Sequence, residues 1–374
     1  MTALRRWWLP ALLVGMLVIP MASYPHRAVE LLTGRCSGAV SAAQADEQAH
    51  ELIPSRMTLR RAAQYLRSTL FAAHETRLVV VGRDHTLFYR GEGGGDGHTL
   101  DDLRGEVPFS ADAMTRIHSE LERRAVLARS WGGRYMVAVV PNKEAVLVDL
   151  LPRRLAPPPG ALTRTAQLTQ AIPAEVLLDL RPALIEARAA HPDLPVFLRQ
   201  DSHWTTWGAA VACAAIRARL ENGPLRLDPR GWSTATTAPG GRDGDLATLL
   251  ARDGSTYPTP GELSTIAPSK PPEPTYVSPF GHDLTVGGLV ASWDQAYLRR
   301  TYADLAAPAT AGTLVVLHDS FGAHEAVAWL ALGHPRSEFV WSHGFDQDEL
   351  ATLRPQVVVH LIVARYLDLL LPRS

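Results

Sequence analysis

Cysteine and lysine are nearly missing from this sequence of 374 residues, which contains two of each. Cys36 lies near the N-terminus, whereas Cys213 lies in an alanine-rich apolar segment, where a free thiol packs like a small hydrophobic side chain. No cysteine and histidine spacing typical of a metal site occurs. We therefore expect neither a disulfide between these cysteines nor a cysteine-based metal centre.

Neither positive nor negative charge is in excess, since 37 lysines and arginines face 38 aspartates and glutamates. The formal net charge is −1, so no field of the whole protein would attract nucleic acid or an anionic membrane. Hydrophobic residues make up 46% of the chain and charged residues 20%, which is typical of a folded globular protein. The sequence shows no internal repeats or heptads. It therefore predicts a globular protein that has no nucleic-acid partner.

One long apolar run begins at Trp7, directly after two arginines, and ends near Ala22. Two prolines interrupt it, which fits a signal peptide or a short membrane anchor better than a buried N-terminal helix, the alternative. A cleavage-like Ala-Gln-Ala at 43–45 lies about 20 residues beyond the run, which favours an uncleaved anchor. We expect residues 1–50 to direct the chain to the periplasm or another extracytoplasmic space and, as an uncleaved anchor, to contact the membrane, and residues 51–374 to form the folded domain.

Apolar runs of strand length alternate with segments of helical character along most of the chain. This alternation is typical of a parallel sheet with helices on both faces. The sequence therefore predicts an α/β fold, a three-layer α/β/α sandwich with a mostly parallel sheet. The predicted strands cover 77–81, 135–140, 176–180, 195–198, 313–317, 338–341 and 357–363, and the predicted helices cover 55–73, 110–130, 182–190, 209–220, 323–332 and 346–353.

Two segments depart from this pattern. The glycine-rich stretch over 91–97 lacks the Gly-Lys-Ser/Thr ending of a phosphate-binding loop and does not open an apolar helix, so we interpret it as a flexible connection. Residues 222–288 lose the alternation, and seven prolines fall between Tyr257 and Phe280. They predict an irregular proline-rich insertion, which is either a lid or binding loop or a surface insertion without a role at the site.

The most informative stretch is Gly312–Gly322, with the sequence Gly-Thr-Leu-Val-Val-Leu-His-Asp-Ser-Phe-Gly. Its apolar run predicts a buried parallel strand that ends just before Ser320. A serine at a strand-to-helix turn exposes its hydroxyl at the carboxyl edge of the sheet, where backbone amides can stabilise an oxyanion. Ser320 is therefore a candidate nucleophile, and its own backbone N–H is the first candidate oxyanion donor. The alternative is that Ser320 only caps the following helix.

A second segment supplies the groups that a serine nucleophile needs. Asp201 and His203 follow the predicted strand over 195–198, and the carboxyl ends of parallel strands meet at one edge of a sheet. An imidazole can take the proton of a serine hydroxyl, and a carboxylate can orient that imidazole and stabilise its charged form. Asp201, His203 and Ser320 are thus the candidate catalytic residues.

These motifs resemble one known family, the SGNH-hydrolase-like domain of the alginate O-acetyltransferases of the AlgX and AlgJ type. In that family an Asp-x-His pair precedes the serine, as in Asp201-Ser202-His203-Trp204 before Asp319-Ser320-Phe321. Further matching segments are 79–89, which resembles the opening Gly-Lys-Asp-Gly-Trp-Leu-Phe motif, 139–143, with Asn142 in place of aspartate, 244–250, a Gly-Asp-Leu element, and 355–367, with Ala364 in place of glutamate.

The resemblance implies an exported O-acetyltransferase that transfers acetyl groups to the hydroxyls of a polysaccharide. It implies no cofactor, no metal and, as a partner, a membrane-bound O-acyltransferase that supplies the acyl groups. Arg199, Asn142, Lys143 and Tyr366, which lie in or beside the matching segments, are candidates for holding the substrate. Three alternatives remain open, namely a carbohydrate acetyl esterase, a non-catalytic carbohydrate-binding scaffold, and a divalent metal site formed by His318, Asp319, Asp201 and His203.

Overall fold

The computed structural model describes residues 78–91, 99–220, 227, 229–236, 244–252, 263–266, 289–293 and 299–372. Nearly all of them belong to one compact unit, which comprises residues 75–249 and 259–374. Only residues 250–252 of the other unit, 1–74 and 250–258, are described. The predicted export segment, the predicted helix over 55–73 and most of the glycine-rich stretch lie outside the described residues. Within those described, no helix has the length and apolarity needed to span a membrane.

The described residues form both strands and helices. The strands are β1 (Val79–Val81), β2 (Leu87–Tyr89), β3 (Arg134–Val140), β4 (Leu177–Asp179), β5 (Ser233–Thr236), β6 (Leu263–Ile266), β7 (Leu289–Trp293), β8 (Arg299–Asp304), β9 (Thr313–His318), β10 (Arg336–Trp341) and β11 (Val357–Val363). The α-helices are α1 (Thr99–Leu103), α2 (Ala111–Ser130), α3 (Lys143–Val146), α4 (Arg164–Ala171), α5 (Arg181–Ala190), α6 (Thr206–Arg219), α7 (Asp245–Arg252) and α8 (Gln347–Leu353).

A seven-stranded sheet has the order β4-β3-β11-β9-β10-β8-β7. The first five of these strands are parallel to one another. β8 pairs antiparallel with β10 and with β7, so one end of the sheet is mixed. β3 and β11 are buried along almost their whole length, which explains their continuous apolar sequences. The prediction of an α/β fold with a mostly parallel sheet is confirmed.

Helices cover both faces of this sheet. Consecutive residues of β3, such as Ala138 and Val139, belong to two different apolar clusters, because successive side chains point to opposite faces of a strand. One cluster is shared with α5 and α6, and the other with α2 and α4. The sheet therefore lies between two helical layers, and its carboxyl edge remains available for loops.

Three local predictions need correction. The predicted strand over 77–81 forms as β1, but it pairs antiparallel with β2 in a separate two-stranded sheet instead of joining the parallel sheet. The predicted strand over 195–198 is absent, because this segment bonds to the chain just beyond it through an isolated bridge between Phe197 and Trp204. The helix predicted over 323–332 consists of the 3₁₀ segments Ser320–Ala323 and Glu325–Ala331.

The predicted irregular insertion over 222–288 contains regular structure. β5 and β6 pair antiparallel, and α7 begins at Asp245. The helix brings Asp245 next to the candidate site, although its starting residue is 42 positions after His203 (245 − 203). The seven prolines between Tyr257 and Phe280 lie outside the described residues.

Candidate active site

The base side of the site is a loop over 195–205 that folds back on itself. The Leu198 N–H donates to the His203 carbonyl (3.0 Å), and the Thr205 N–H donates to the Val196 carbonyl (3.0 Å). The Thr205 hydroxyl accepts from the Gly208 N–H (3.1 Å) and so caps the beginning of α6. These bonds fix the loop to the helix that follows it, and His203 lies within the loop.

His203 joins two other side chains. Its Nε2 atom lies 2.8 Å from the Ser320 hydroxyl, and its Nδ1 atom lies 2.7 Å from Oδ1 of Asp201. These are hydrogen-bond distances on both sides of one imidazole ring. With the carboxylate accepting from Nδ1–H, Nε2 is left as the acceptor that faces the serine hydroxyl.

Several N–H groups hold the Asp201 carboxylate. The His203 backbone N–H donates to Oδ1 (2.9 Å), and the Asp245 backbone N–H donates to Oδ2 (2.9 Å). Burial alone would raise the pKa of the Asp201 carboxyl, but the hydrogen bonds and charge of His203, with the Asp245 N–H, lower it well below its usual range. Asp201 is therefore an anion at neutral pH.

The nucleophile side begins where β9 ends. Asp319 accepts from the Phe321 N–H (2.8 Å) and from the Val363 N–H (2.8 Å), which ties the serine turn to β11. Asp319 is thus the residue whose side chain caps the turn, whereas the Ser320 hydroxyl faces His203. No described group accepts a hydrogen bond from the Ser320 backbone N–H, which leaves this donor available for an oxyanion.

A buried arginine donates hydrogen bonds to the turn that contains Ser320. Arg300, on β8, donates to the carbonyls of Gly322 (2.6 Å) and Ala323 (3.2 Å) and lies 3.3 Å from Nε2 of His318. A Cβ at position 322 would lie 2.3 Å from the His318 side chain, so this position requires glycine. The turn is therefore packed tightly against His318 and Arg300.

The Phe321 ring, on the serine turn, packs against the loop that contains His203. Its ring centre lies 4.7 Å from the His203 ring and 5.2 Å from the Trp204 ring. The Arg365 guanidinium lies 5.4 Å from the Phe321 ring centre and 5.1 Å from that of Tyr366. The predicted substrate residue Tyr366 is therefore connected to the serine turn through Arg365.

Two of the other predicted substrate residues, Lys143 and Asn142, are buried. The Lys143 ammonium is buried and donates to the carbonyls of Leu87 (2.7 Å), Arg199 (2.8 Å) and Asp201 (3.0 Å). These bonds use its three N–H groups, which argues against the predicted substrate contact. Arg199 contributes its carbonyl to this arrangement. Asn142 is buried beside it, and its Oδ1 atom has no hydrogen-bond partner in the described structure.

The arrangement also argues against the alternative metal site. His318 is buried, its Nδ1 atom lies 2.7 Å from the Asp319 carbonyl, and both Asp319 carboxylate oxygens accept backbone N–H groups. Burial and the nearby Arg300 charge lower the pKa of His318 to about 3. The one cluster of metal-ligand side chains among the described residues is Asp201, His203 and Asp245, in which the histidine already bonds to Asp201 and Ser320.

Two residues near the site were not predicted from the sequence. Asp245 reaches it from α7, and Arg300 reaches it from β8, and neither stands in a motif with Ser320 or His203. The sequence signals were the Gly-Asp-Leu element, which contains Asp245, and within it the glycine at 244, which permits a close approach of two backbones. A Cβ there would lie 2.3 Å from the Gln200 carbonyl oxygen.

A mostly parallel sheet covered on both faces, with a serine, a histidine and an aspartate joined at its carboxyl edge, is an α/β fold with the geometry of a serine-dependent acyl-transfer site. Residues 79–274 match the family described as SGNH hydrolase-like domain, acetyltransferase AlgX. This match covers slightly more than half of the 374 residues. The chain therefore belongs to this family, as the resemblance of its motifs predicted.

Individual relatives agree with this assignment. Over 84 residues the chain is 36% identical to the probable alginate O-acetylase AlgJ of Pseudomonas syringae pv. tomato, a match that covers 21% of this chain and 22% of that relative. The match thus spans about a fifth of the relative's length.

Two solved structures are similar. PatB1 of Bacillus cereus, solved with a sulfonyl adduct, has a TM-score of 0.52 at 12% identity over 79% of this chain and 98% of its own, which supports the fold. The O-acetyltransferase domain of Pseudomonas putida AlgJ has a TM-score of 0.42 at 21% identity over 79% of this chain and 94% of its own.

Proposed function

We propose that this protein is an O-acyltransferase that moves an acetyl group onto a carbohydrate hydroxyl through an acyl-enzyme on Ser320. The observation that carries the proposal is the continuous hydrogen-bond chain from Asp201 through His203 to the Ser320 hydroxyl. The same arrangement occurs on several unrelated folds and performs acyl transfer on each of them. Membership in an acetyltransferase family supports the choice of acetyl as the acyl group.

In the first step, Ser320 Oγ attacks the carbonyl carbon of an acyl donor while Nε2 of His203 takes the hydroxyl proton. The carbonyl oxygen becomes an oxyanion, which the Ser320 backbone N–H can stabilise. When the carbon–oxygen bond of the donor breaks, His203 returns the proton to the leaving group. The products of this step are an acyl ester of Ser320 and the free donor alcohol.

In the second step, an acceptor hydroxyl takes the place of the donor alcohol. His203 removes its proton, the acceptor oxygen attacks the Ser320 ester, and the proton returns to Ser320 as the ester bond breaks. Asp201 remains an anion throughout and stabilises the imidazolium that forms twice in the cycle. An acetylated acceptor and the free enzyme result.

The acceptor and the location follow from the family. The name of the AlgJ relative refers to alginate O-acetylation, which supports a polysaccharide as the proposed acceptor. We also propose, from the resemblance to the family, a membrane-bound O-acyltransferase that supplies the acyl groups. Members of the AlgX and AlgJ family are periplasmic. We propose the same location for this chain, directed there by its apolar N-terminal run.

An esterase differs from this transferase only in the second step, where water replaces the sugar hydroxyl. Purified protein supplied with a chromogenic acetyl ester, with and without an oligosaccharide, separates the two. We expect acetylated oligosaccharide, detected by mass spectrometry, and faster chromophore release when acceptor is present. Release that is unaffected by acceptor, without any acetylated sugar, would identify an esterase.

A non-catalytic scaffold of the same fold is tested by labelling. A sulfonyl fluoride should modify Ser320 in the wild-type protein, because the adjacent imidazole activates that hydroxyl. The Ser320→Ala variant should take up no label, whereas Ser130→Ala, which removes an exposed serine at the end of α2, should be labelled normally. A wild-type protein that is not labelled, together with an unchanged cellular phenotype of Ser320→Ala, would support the scaffold.

A further inference from the structure

A second carboxylate faces the histidine of the site. Oδ2 of Asp245 lies 3.6 Å from Nδ1 of His203, the same nitrogen that donates to Asp201 at 2.7 Å. The first distance is too long for a strong hydrogen bond but short for an electrostatic interaction between charges. Two carboxyl groups can therefore act on one imidazole, and burial together with the Asp201 charge raises the pKa of the second one, Asp245.

The backbone around Asp245 is built for this approach. Gly244 lies against the Gln200 carbonyl, where no Cβ would fit, and the Ala247 N–H donates to the same carbonyl (3.1 Å). The Asp245 N–H donates to Asp201 (2.9 Å). The first turn of α7 is thus fixed to the loop that carries the catalytic histidine and aspartate.

The side chain of Asp245 is fixed as well. Its Oδ1 accepts from the Ser202 backbone N–H (2.7 Å), and its Oδ2 accepts from the Ser202 hydroxyl (2.5 Å). Ser202 stands between Asp201 and His203 in the sequence and is buried. Asp245 therefore holds the middle residue of the Asp-Ser-His segment with two hydrogen bonds.

We infer that Asp245 is a positioning residue for the proposed acyl transfer, which fixes the Asp201–His203 pair and adds a second negative charge beside the imidazole. The inference rests on the proposed function for its catalytic meaning. The charge favours the imidazolium that forms when His203 takes the serine proton, and the bonds to Ser202 keep Nε2 directed at Ser320.

Other charged or titratable groups near the imidazole have to be considered. Lys143 bonds to the Asp201 carbonyl, and Arg365 packs on the Phe321 ring that also contacts His203. Burial and the proximity of His203 lower the pKa of His324 to about 4, so that His324 is neutral where the enzyme would work. Against these groups, Asp245 is the only carboxylate besides Asp201 that lies within 4.0 Å of His203 in the described structure.

The test is an NMR titration of the His203 ring, which needs no turnover. In Asp245→Asn we expect the titration midpoint of this ring to fall by about one pH unit relative to wild type, as a partly exposed charge at this distance predicts. Asp245→Glu should restore most of the shift. Asp348→Asn, which removes an exposed aspartate from the first turn of α8, should leave the midpoint unchanged. An unchanged midpoint in Asp245→Asn would overturn the inference.

The wild-type protein offers a second measurement if Asp245→Asn does not fold. The carboxyl carbon signal of Asp245 should follow the titration of the His203 ring, since the two groups are coupled by charge. A carboxyl signal that does not respond while the ring titrates would also overturn the inference.

Kinetics then separate this inference from the proposed function. With a chromogenic acetyl ester we expect Asp245→Asn to lower kcat about tenfold with KM changed less than about twofold, and to move the acidic limb of the pH profile to lower pH. A loss of kcat without movement of the limb would indicate a purely structural role. If hydrolysis persists in Ser320→Ala, the proposed function fails, whereas the NMR result on Asp245 still stands.

Discussion

The two sides of the candidate site are built in different ways. Ser320 follows β9, which is paired on one edge with β11 and on the other with β10. His203 lies on a loop that has only an isolated bridge and depends on bonds from distant residues, among them the ammonium of Lys143 and the N–H of Asp245. The sheet thus positions the nucleophile, whereas long-range polar bonds position the base.

The two halves of the site therefore depend on different parts of the sequence. The position of Ser320 depends on a local apolar pattern followed by a turn, to which Arg300 adds two hydrogen bonds. The position of His203 depends on side chains from α3 and α7, which are far away in sequence. We therefore expect substitutions at distant polar residues to affect the base more than the nucleophile.

The largest expected effect is the loss of the base itself. His203→Ala should lower Ser320-dependent ester hydrolysis by about 10⁴-fold and abolish the acidic limb of the pH profile, because no other group takes the serine proton. His118→Ala, on α2, is the matched control and should retain normal activity. The measurement is kcat/KM from pH 5 to 9, a range that brackets a typical imidazole ionisation.

A surviving limb in His203→Ala would show that another base serves the serine. His318 is the neighbour to suspect from the sequence alone. The structure argues against it, because His318 is buried and both its ring nitrogens face other groups, the Asp319 carbonyl and Arg300.

The next effect tests the long-range support of the base loop. Lys143→Met removes a buried donor from the carbonyls of Leu87, Arg199 and Asp201. The Arg199 carbonyl still accepts from the Leu87 N–H, and each carbonyl left without a partner costs about 1–3 kcal/mol. We expect about 3 kcal/mol less free energy of unfolding by urea denaturation, together with a lower kcat. Arg153→Met, at an exposed position, should change neither. Full activity and stability in Lys143→Met would contradict the role given to the lysine.

Sequence reasoning located the nucleophile side more completely than the base side for a physical reason. The apolar run before Ser320 has the composition of a buried strand, and the structure contains that strand as β9. The apolar run over 195–198 looks similar, but it bonds to residues just beyond it instead of to the sheet. Composition alone does not distinguish these two outcomes.

Contacts between residues far apart in the chain could not be predicted from the sequence either. Lys143 was predicted to contact substrate because it lies in a segment that matches the family, yet its partners are three carbonyls. Asp245 was noted only as part of a motif. Its closeness to His203 depends on the path of the chain between them, which no local pattern reveals. The residues that hold the substrate remain a prediction.

The smallest effect concerns Glu144, next to Lys143 on α3. Glu144 is buried, one carboxylate oxygen has no partner among the described residues, and burial raises the pKa of its carboxyl from 4.5 to about 7. The folded protein therefore binds more protons than the unfolded chain between about pH 4.5 and pH 7. Within this window the free energy of unfolding should fall as pH rises, and above pH 7 the full cost should be present.

Glu144→Gln removes this ionisation and should stabilise the protein by about 2 kcal/mol at pH 8, with no gain at pH 4. Thermal unfolding of both proteins from pH 4 to 8 measures the difference. Glu122→Gln, on α2 at an exposed position, is the control and should show no pH-dependent gain. A gain that is equal at all pH values would contradict the buried charge as its cause.

The central claim is that Ser320 forms an acyl-enzyme with His203 as its base. The most direct measurement is mass spectrometry of protein quenched with acid during turnover of an activated acetyl ester, followed by peptide mapping. We expect one acetyl group, on Ser320, in the wild-type protein, and none within the same time in His203→Ala or Ser320→Ala. An acetyl group on any other residue, or equally fast acetylation of Ser320 in His203→Ala, would contradict it.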